Sequence, residues 1–184
     1  CAGFVRGEKV LELGCGPRKT VPHAVGMDIK RPGEHVPFLN GLDLSALSGS
    51  CADLVGDASI VHDELFESQD TIIARHLIEH CQDPLGTLAA WNRMLKPGGR
   101  LIVAPPNQRL QNTIVLNPEH VNSYTPASLK NLARVAGFLA VYVADNSNGT
   151  SMVAVFDKAG EPASAIEDPE DTLHPLAARL AVAA

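Results

Sequence analysis

The feature that most constrains this chain of 184 residues is a series of short apolar runs separated by longer, mostly polar segments. The runs are Lys9–Leu13, Ala24–Asp28, Ala52–Gly56, Thr71–Ala74 and Arg100–Ala104. Each is too short for a helix. Being apolar nearly throughout, rather than alternating, they suit strands covered on both faces. The segments between most of them are long enough for helices, so the pattern predicts a parallel sheet in an α/β fold. The clearest helix is Asp83–Lys96: Asp83 is the N-cap, Pro84 takes the first helical position, and Pro97-Gly98-Gly99 ends it. Its predicted buried face is Leu85, Leu88, Ala89 and Leu95. A second helix is predicted from Pro126 to Ala136, capped by Thr125, with Leu129, Leu132, Ala133 and Ala136 inward and Gly137 as its stop. Leu139–Ala144 and Thr150–Asp157 flank the turn-rich Asp145–Gly149, which predicts a hairpin and an antiparallel finish to the sheet.

Composition narrows the function. Hydrophobic residues make up 45 % of the chain, enough for a real core. We expect one domain over 1–158 and an acidic, then Ala-rich tail over 159–184, with a helix near Ala177–Val182. No apolar run approaches the roughly 20 residues of a membrane span, and no signal peptide is visible, so a cytoplasmic protein is expected. A net charge of −6 with only five Phe, two Tyr and one Trp argues against nucleic acid as substrate. Cys1, Cys15, Cys51 and Cys81 form no C-x-x-C, which predicts reduced thiols rather than a zinc ribbon. Because the chain opens at Cys1, close to the first strand, a preceding helix is expected to be missing.

Chemistry concentrates at the strand ends. Glu12-Leu13-Gly14-Cys15-Gly16-Pro17 closes the first strand, and its glycines let the backbone approach a ligand. A dinucleotide fingerprint would need glycine at position 19, which is Lys19. Glu12 can instead pair with an ammonium group. Asp28 ends the second run, where it can accept ribose hydroxyls, and Asp57 ends the third, where it can take an adenine amine. Three carboxylates at three strand ends suit a ligand with amine, ribose and adenine but no phosphate.

The chain resembles the class I S-adenosylmethionine-dependent methyltransferase family, of the methyltransferase type 11-like kind, from about Val10 to Asp157. The resemblance is carried by LELGCG at 11–16, GMD at 26–28, GDA at 56–58, ARHLIEH at 74–80, MLKPGGRLIV at 94–103 and EHVNSYTPASLKNLARVAGF at 119–138. It implies a Rossmann-like three-layer sandwich with a seven-stranded, mostly parallel sheet and an antiparallel last strand. It also implies methyl transfer from S-adenosylmethionine to a small polar molecule, as O- or N-methylation, and allows a homodimer. By resemblance, Glu12, Gly14, Cys15 and Gly16 hold the methionine end, Asp28 and Ile29 the ribose, and Asp57 and Ala58 the adenine, with Arg75 beside them. Two departures stand out. Arg18 replaces a third glycine, and only ten residues, Gly14–His23, join the first two strands, with Pro22 among them. Ten extended residues span roughly 33 Å, so the first crossover is expected to be a loop that leaves one sheet face partly bare.

His76-Leu77-Ile78-Glu79-His80 spells H-x-x-E-H, the inverted zinc-protease signature. On a helix His76 and His80 would share a face, but the segment follows the fourth strand at once. We therefore assign no metal, and expect Glu79 and His80 to pack and cap locally. His76 is expected to line the cleft, and Asn117-Pro118-Glu119-His120 with Tyr124 to lie over the open end of the sheet. His76 and His120 become candidate general bases, and Tyr124 a group that orients the acceptor. Two other readings are a non-catalytic S-adenosylmethionine-binding domain or partner subunit, and a zinc hydrolase built on H-x-x-E-H.

Overall fold

The computed structural model describes residues 1–29, 50–109, 117–145 and 150–159. Its strands are β1 (Val10–Leu13), β2 (Val25–Asp28), β3 (Leu54–Val55), β4 (Gln69–Arg75), β5 (Leu95–Ala104), β6 (Phe138–Asp145) and β7 (Met152–Lys158). Helices α1 (Pro84–Met94) and α2 (Pro126–Val135) lie between β4 and β5 and between β5 and β6. The seven strands form one sheet in the order β3-β2-β1-β4-β5-β7-β6. Strands β1 to β5 pair in parallel, while β7 runs antiparallel to both β5 and β6 and sits between them. This is the Rossmann-like α/β sheet with an antiparallel last strand that the sequence predicts.

The strand pleat sorts side chains to two faces. Leu11, Leu13, Ile72, Ala74, Leu101 and Val103 face α1 and α2, where Trp91, Leu88, Leu129, Phe138 and Phe156 complete the larger core. Val10, Ile73, Ile102 and Val155 face the other way. Among the described residues that second face carries no α-helix, only the 3-10 turn Ala2–Phe4. Cys1, Phe4, Val5, Val21 and Ala24 cover it. The first crossover is a loop, as its length and Pro22 require. Glu12 accepts from the Thr20 amide and hydroxyl at 2.5 and 2.7 Å, and Lys19 pairs with Asp53 at 2.5 Å, so the loop is tied down without helical hydrogen bonds.

Boundaries shift in three places. α1 stops at Met94, because fully buried Leu95 already pairs with Gln69 in the sheet. Pro97-Gly98-Gly99 is taken up as an irregularity within β5, with Gly98 at φ +72°. β3 shrinks to Leu54–Val55. The buried face of α1 is also rotated from the expected one: Thr87, Leu88, Ala90, Trp91 and Met94 point inward, while Leu85 and Ala89 are exposed. Trp91, the largest fully buried side chain, sets that orientation. α2 has the predicted Thr125 cap, with a reciprocal hydrogen bond from Ser128. β6 and β7 pair antiparallel as predicted, from Phe138↔Lys158 to Asp145↔Met152. The hairpin tip at 146–149 and the tail from 160 onward lie outside the described residues. No described helix is long and apolar enough to cross a membrane.

Candidate active site

The chain leaves β1 toward β2 and β3 on one side, then returns to β4 on the other. Such a reversal opens a crevice beyond the carboxyl ends of the strands, where α/β sheets bind ligands. A cavity of about 700 Å³ lies there, with Gly14, Asp28, Ile29, Asp57, Ala58 and Leu77 in its wall. Gly14 adopts φ +61°, and a Cβ on it would approach Leu77 Cδ1 to 3.1 Å. Both the turn and the close approach therefore require glycine.

Asp28 Oδ2 accepts the Gly16 amide at 3.0 Å, which fixes its carboxylate at the cavity rim. Asp57 Oδ1 accepts the Ser59 hydroxyl at 2.7 Å and the Ser59 amide at 2.8 Å. These bonds hold the Asp57 carboxyl below the usual carboxylate range. Behind it, Trp91 Nε1 donates to the Ala58 carbonyl at 2.7 Å and anchors this wall to α1.

Five of the nine residues expected on the cofactor side thus line the cavity: Gly14, Asp28, Ile29, Asp57 and Ala58. Gly16 acts on Asp28 through its amide. Glu12, Cys15 and Arg75 stand behind the wall. Glu12 is 1 % exposed, and beyond its two Thr20 bonds it accepts from Arg75 Nε at 3.1 Å. These protein donors hold its carboxylate as a brace at the floor of the site, away from the cavity wall. Arg75 also donates to the Arg18 carbonyl at 2.9 Å. Cys15 is buried, and burial with the neighbouring Cys51 pushes its thiol up to about 12.

Residues 76–83 follow β4 and pack against loop 117–124; of the two segments Leu77, Cys81, Gln82 and Asp83 enter the cavity wall, while His76, His120 and Tyr124, expected over the crevice, do not line it. Ile78–His80 is a single 3-10 turn, so H-x-x-E-H does not lie on an α-helix. A five-bond clamp joins this turn to the later loop. Glu79 O accepts the Val121 and Asn122 amides, Cys81 O the Asn122 side chain, Glu119 O the His80 Nδ1–H, and Ile78 O the Tyr124 hydroxyl. Tyr124 is 5 % exposed, donates its hydroxyl into this clamp and stands outside the cavity wall, a bracing position in place of the expected one beside an acceptor; burial raises its pKa. His76 is exposed, sits at φ +49°, and places Nδ1 3.4 Å from Glu79 Oε1. That distance suits an ion pair with protonated His76, while the alignment is not that of a hydrogen bond. A left-handed backbone on a residue other than glycine is strained, and strain of this kind collects at working sites. The His120 ring meets His80 edge-on at 4.8 Å. Burial holds His120 below the usual histidine range, partly offset by the Glu79 charge.

Sequence reasoning missed part of the wall, including Leu77, Cys81, Gly86 and Arg93. The signal was present in Asp83-Pro84: a helix capped directly after the β4 turn must present its first turn to the crevice. Asp83 does cap α1, accepting from Gly86 N at 2.9 Å.

Known proteins share this architecture. The chain is 27 % identical over 114 residues to the ubiquinone biosynthesis O-methyltransferase of Aliivibrio fischeri strain MJ11, covering 58 % of this chain and 47 % of that protein. It is 26 % identical over 157 residues to the enzyme of the same name from Thiobacillus denitrificans, covering 71 % and 64 %. The chain thus matches about half to two thirds of the length of these curated relatives. An S-adenosylmethionine-dependent methyltransferase of Thermotoga maritima has the same fold, with a TM-score of 0.61, 20 % identity and 85 % of each chain covered. So does the 1,6-didemethyltoxoflavin-N1-methyltransferase of Burkholderia thailandensis, seen with S-adenosylhomocysteine bound, at TM-score 0.61 and 18 % identity over 86 % of this chain and 74 % of that one. The model of the methyltransferase domain matches residues 2–143, well over half of the sequence, and the chain belongs to the S-adenosylmethionine-dependent methyltransferase family.

Proposed function

We propose that this domain binds S-adenosylmethionine across the ends of β1, β2 and β3 and transfers its methyl group to a small polar acceptor, at oxygen or nitrogen. The observation that carries this reading is the pair Asp28 and Asp57, fixed at neighbouring strand ends around a cavity of about 700 Å³. The Asp57 carboxylate has capacity for more than its two Ser59 bonds, since two oxygens offer about four acceptor positions. Asp28 then takes ribose hydroxyls and Asp57 the adenine amine, with exposed Ile29 against the apolar ring face. Gly14 lets the backbone approach the methionine portion.

When bound, the cofactor supplies an electrophilic methyl carbon on a sulfonium leaving group. What the protein adds is in-line placement of the nucleophile, and removal of a proton where the acceptor is a hydroxyl. His76 is the base in this reading. It is exposed just past β4, with Nδ1 3.4 Å from Glu79 Oε1. The relatives named for O-methylation and the fold neighbour named for N-methylation are compatible with either acceptor atom.

Calorimetry with S-adenosylmethionine and S-adenosylhomocysteine, followed by labelled-methyl transfer to a panel of phenols, carboxylic acids and amines, tests the proposal. We expect micromolar binding of both ligands, and a His76→Ala protein that keeps cofactor affinity while losing turnover. Absence of binding removes the reading. Binding with no transfer to any acceptor identifies a cofactor-holding subunit instead.

A further inference from the structure

The acceptor half of the crevice contains an arrangement that methyl transfer does not require. The Glu79 side chain is 1 % exposed, yet neither carboxylate oxygen has a hydrogen-bond donor. A buried carboxylate without donors is costly, and such groups are normally matched by a cation. His120 Nδ1 is likewise buried without a partner. The third group is His80, whose Nδ1–H is directed to the Glu119 carbonyl at 3.0 Å, leaving Nε2 with its lone pair. A backbone hydrogen bond of this type is how proteins fix the tautomer of a metal-binding histidine.

Glu79, His80 and His120 each offer one ligand atom, and these atoms lie within 4.8 Å of one another. Backbone bonds hold the three together, because Glu79 O accepts both the Val121 and the Asn122 amides at 3.0 Å. Loop 117–122 therefore cannot drift from the turn that carries Glu79 and His80. We propose that Glu79, His80 and His120 form a binding site for one divalent transition-metal ion, with zinc the best match to two imidazoles and one carboxylate. The H-x-x-E-H segment contributes only its last two residues, and the third ligand comes from forty positions downstream. His76 Nδ1, 3.4 Å from Glu79 Oε1, stands beside the carboxylate outside the ligand set. Two neutral imidazoles and one carboxylate leave a bound zinc with net charge +1 and an open position for an anionic oxygen.

This site does not rest on the methyl-transfer reading, and its test needs neither cofactor nor acceptor. The whole chain is stripped with a chelator, and zinc chloride is titrated by calorimetry. Cobalt chloride is followed in parallel by visible absorption, which reports inner-sphere nitrogen ligands. We expect one ion per chain. Glu79→Gln and His120→Ala should each weaken binding about tenfold or more and diminish the cobalt bands. His23→Ala, at an exposed histidine outside the cluster, should leave both unchanged. Circular dichroism and melting on each variant precede titration, and His80→Ala replaces any variant that fails to fold. No stoichiometric ion in the wild-type chain, or binding that persists undiminished in the folded cluster variants, overturns the proposal.

Discussion

The two halves of the crevice treat their buried carboxylates in opposite ways. On the first half, around the loop after β1 where the cofactor is proposed to bind, Glu12 is 1 % exposed and accepts from Thr20 N, Thr20 Oγ1 and Arg75. On the second half, at the turn after β4, Glu79 is equally buried and its side chain accepts no hydrogen bond. The first half braces its buried carboxylate within the polypeptide, through the loop after β1 and Arg75. The second half is held together by bonds to backbone carbonyls, while the Glu79 carboxylate and His120 Nδ1 are left open. A self-satisfied region keeps its shape without a ligand, whereas an unsatisfied one gains stability from whatever supplies the missing partner.

The sharpest way to break this comparison is to remove each carboxylate and measure unfolding in metal-free buffer. Glu12→Ala strips three donors of their acceptor and leaves Arg75 without its counter-charge. Arg75 is about a third exposed, which moderates the cost, and we expect a loss of about 3 kcal/mol. Glu79→Gln removes a charge whose one ion-pair neighbour among the described residues is the exposed His76, 3.4 Å away. We expect a change of less than about 1 kcal/mol, of either sign. Equal losses in the two variants would show that Glu79 has a hydrogen-bond partner in solution, and the contrast between the halves would collapse.

How far each half could be read in the sequence follows from the same difference. Asp28 and Asp57 were legible because a carboxylate at the end of a parallel strand faces the crevice whatever the details of packing. The loop crossover was legible too, since Pro22 and a ten-residue span leave no room for a helix. Glu12 was assigned to an ammonium because its fate depends on Thr20, eight positions on, and Arg75, sixty-three positions on. Local pattern does not encode the second of these contacts. Tyr124 was misplaced for the same reason: its hydroxyl is claimed by Ile78 O, forty-six positions away. The meeting of Glu79, His80 and His120 depends on a clamp between two loops, and loops carry no periodicity from which their docking could be inferred.

A second prediction tests whether the first half works as a binding surface. Asp28→Ala removes a charge-assisted acceptor at the rim of the cavity and also the bond to Gly16 N. A hydrogen bond to a charged group is worth about 1.5–3 kcal/mol, so affinity for S-adenosylhomocysteine should fall roughly ten- to a hundredfold. Calorimetry on a variant with an unchanged melting curve checks it. Unaltered affinity would make Asp28 a brace like Glu12, and the cofactor half would then be scaffold throughout.

The smallest expected effect concerns Asp57 and depends on pH. Ser59 donates to it from both hydroxyl and amide, and these bonds hold its carboxyl below the ordinary value of 3.8. Between the lowered and the ordinary value the unfolded chain binds more protons than the native one, so stability rises with pH across that window. The contribution is complete above about pH 3.8 and disappears as pH falls through the folded value. Ser59→Ala removes the hydroxyl bond and keeps the amide. Asp57 is exposed, so the cost at neutral pH should be about 0.5 kcal/mol or less. The two stability curves should then converge as the solution is made more acidic. A constant offset down to pH 2 would assign the Ser59 effect to packing, not to the charge of Asp57. The pocket carboxylate would then owe its position to the backbone alone, as the open half of the crevice does.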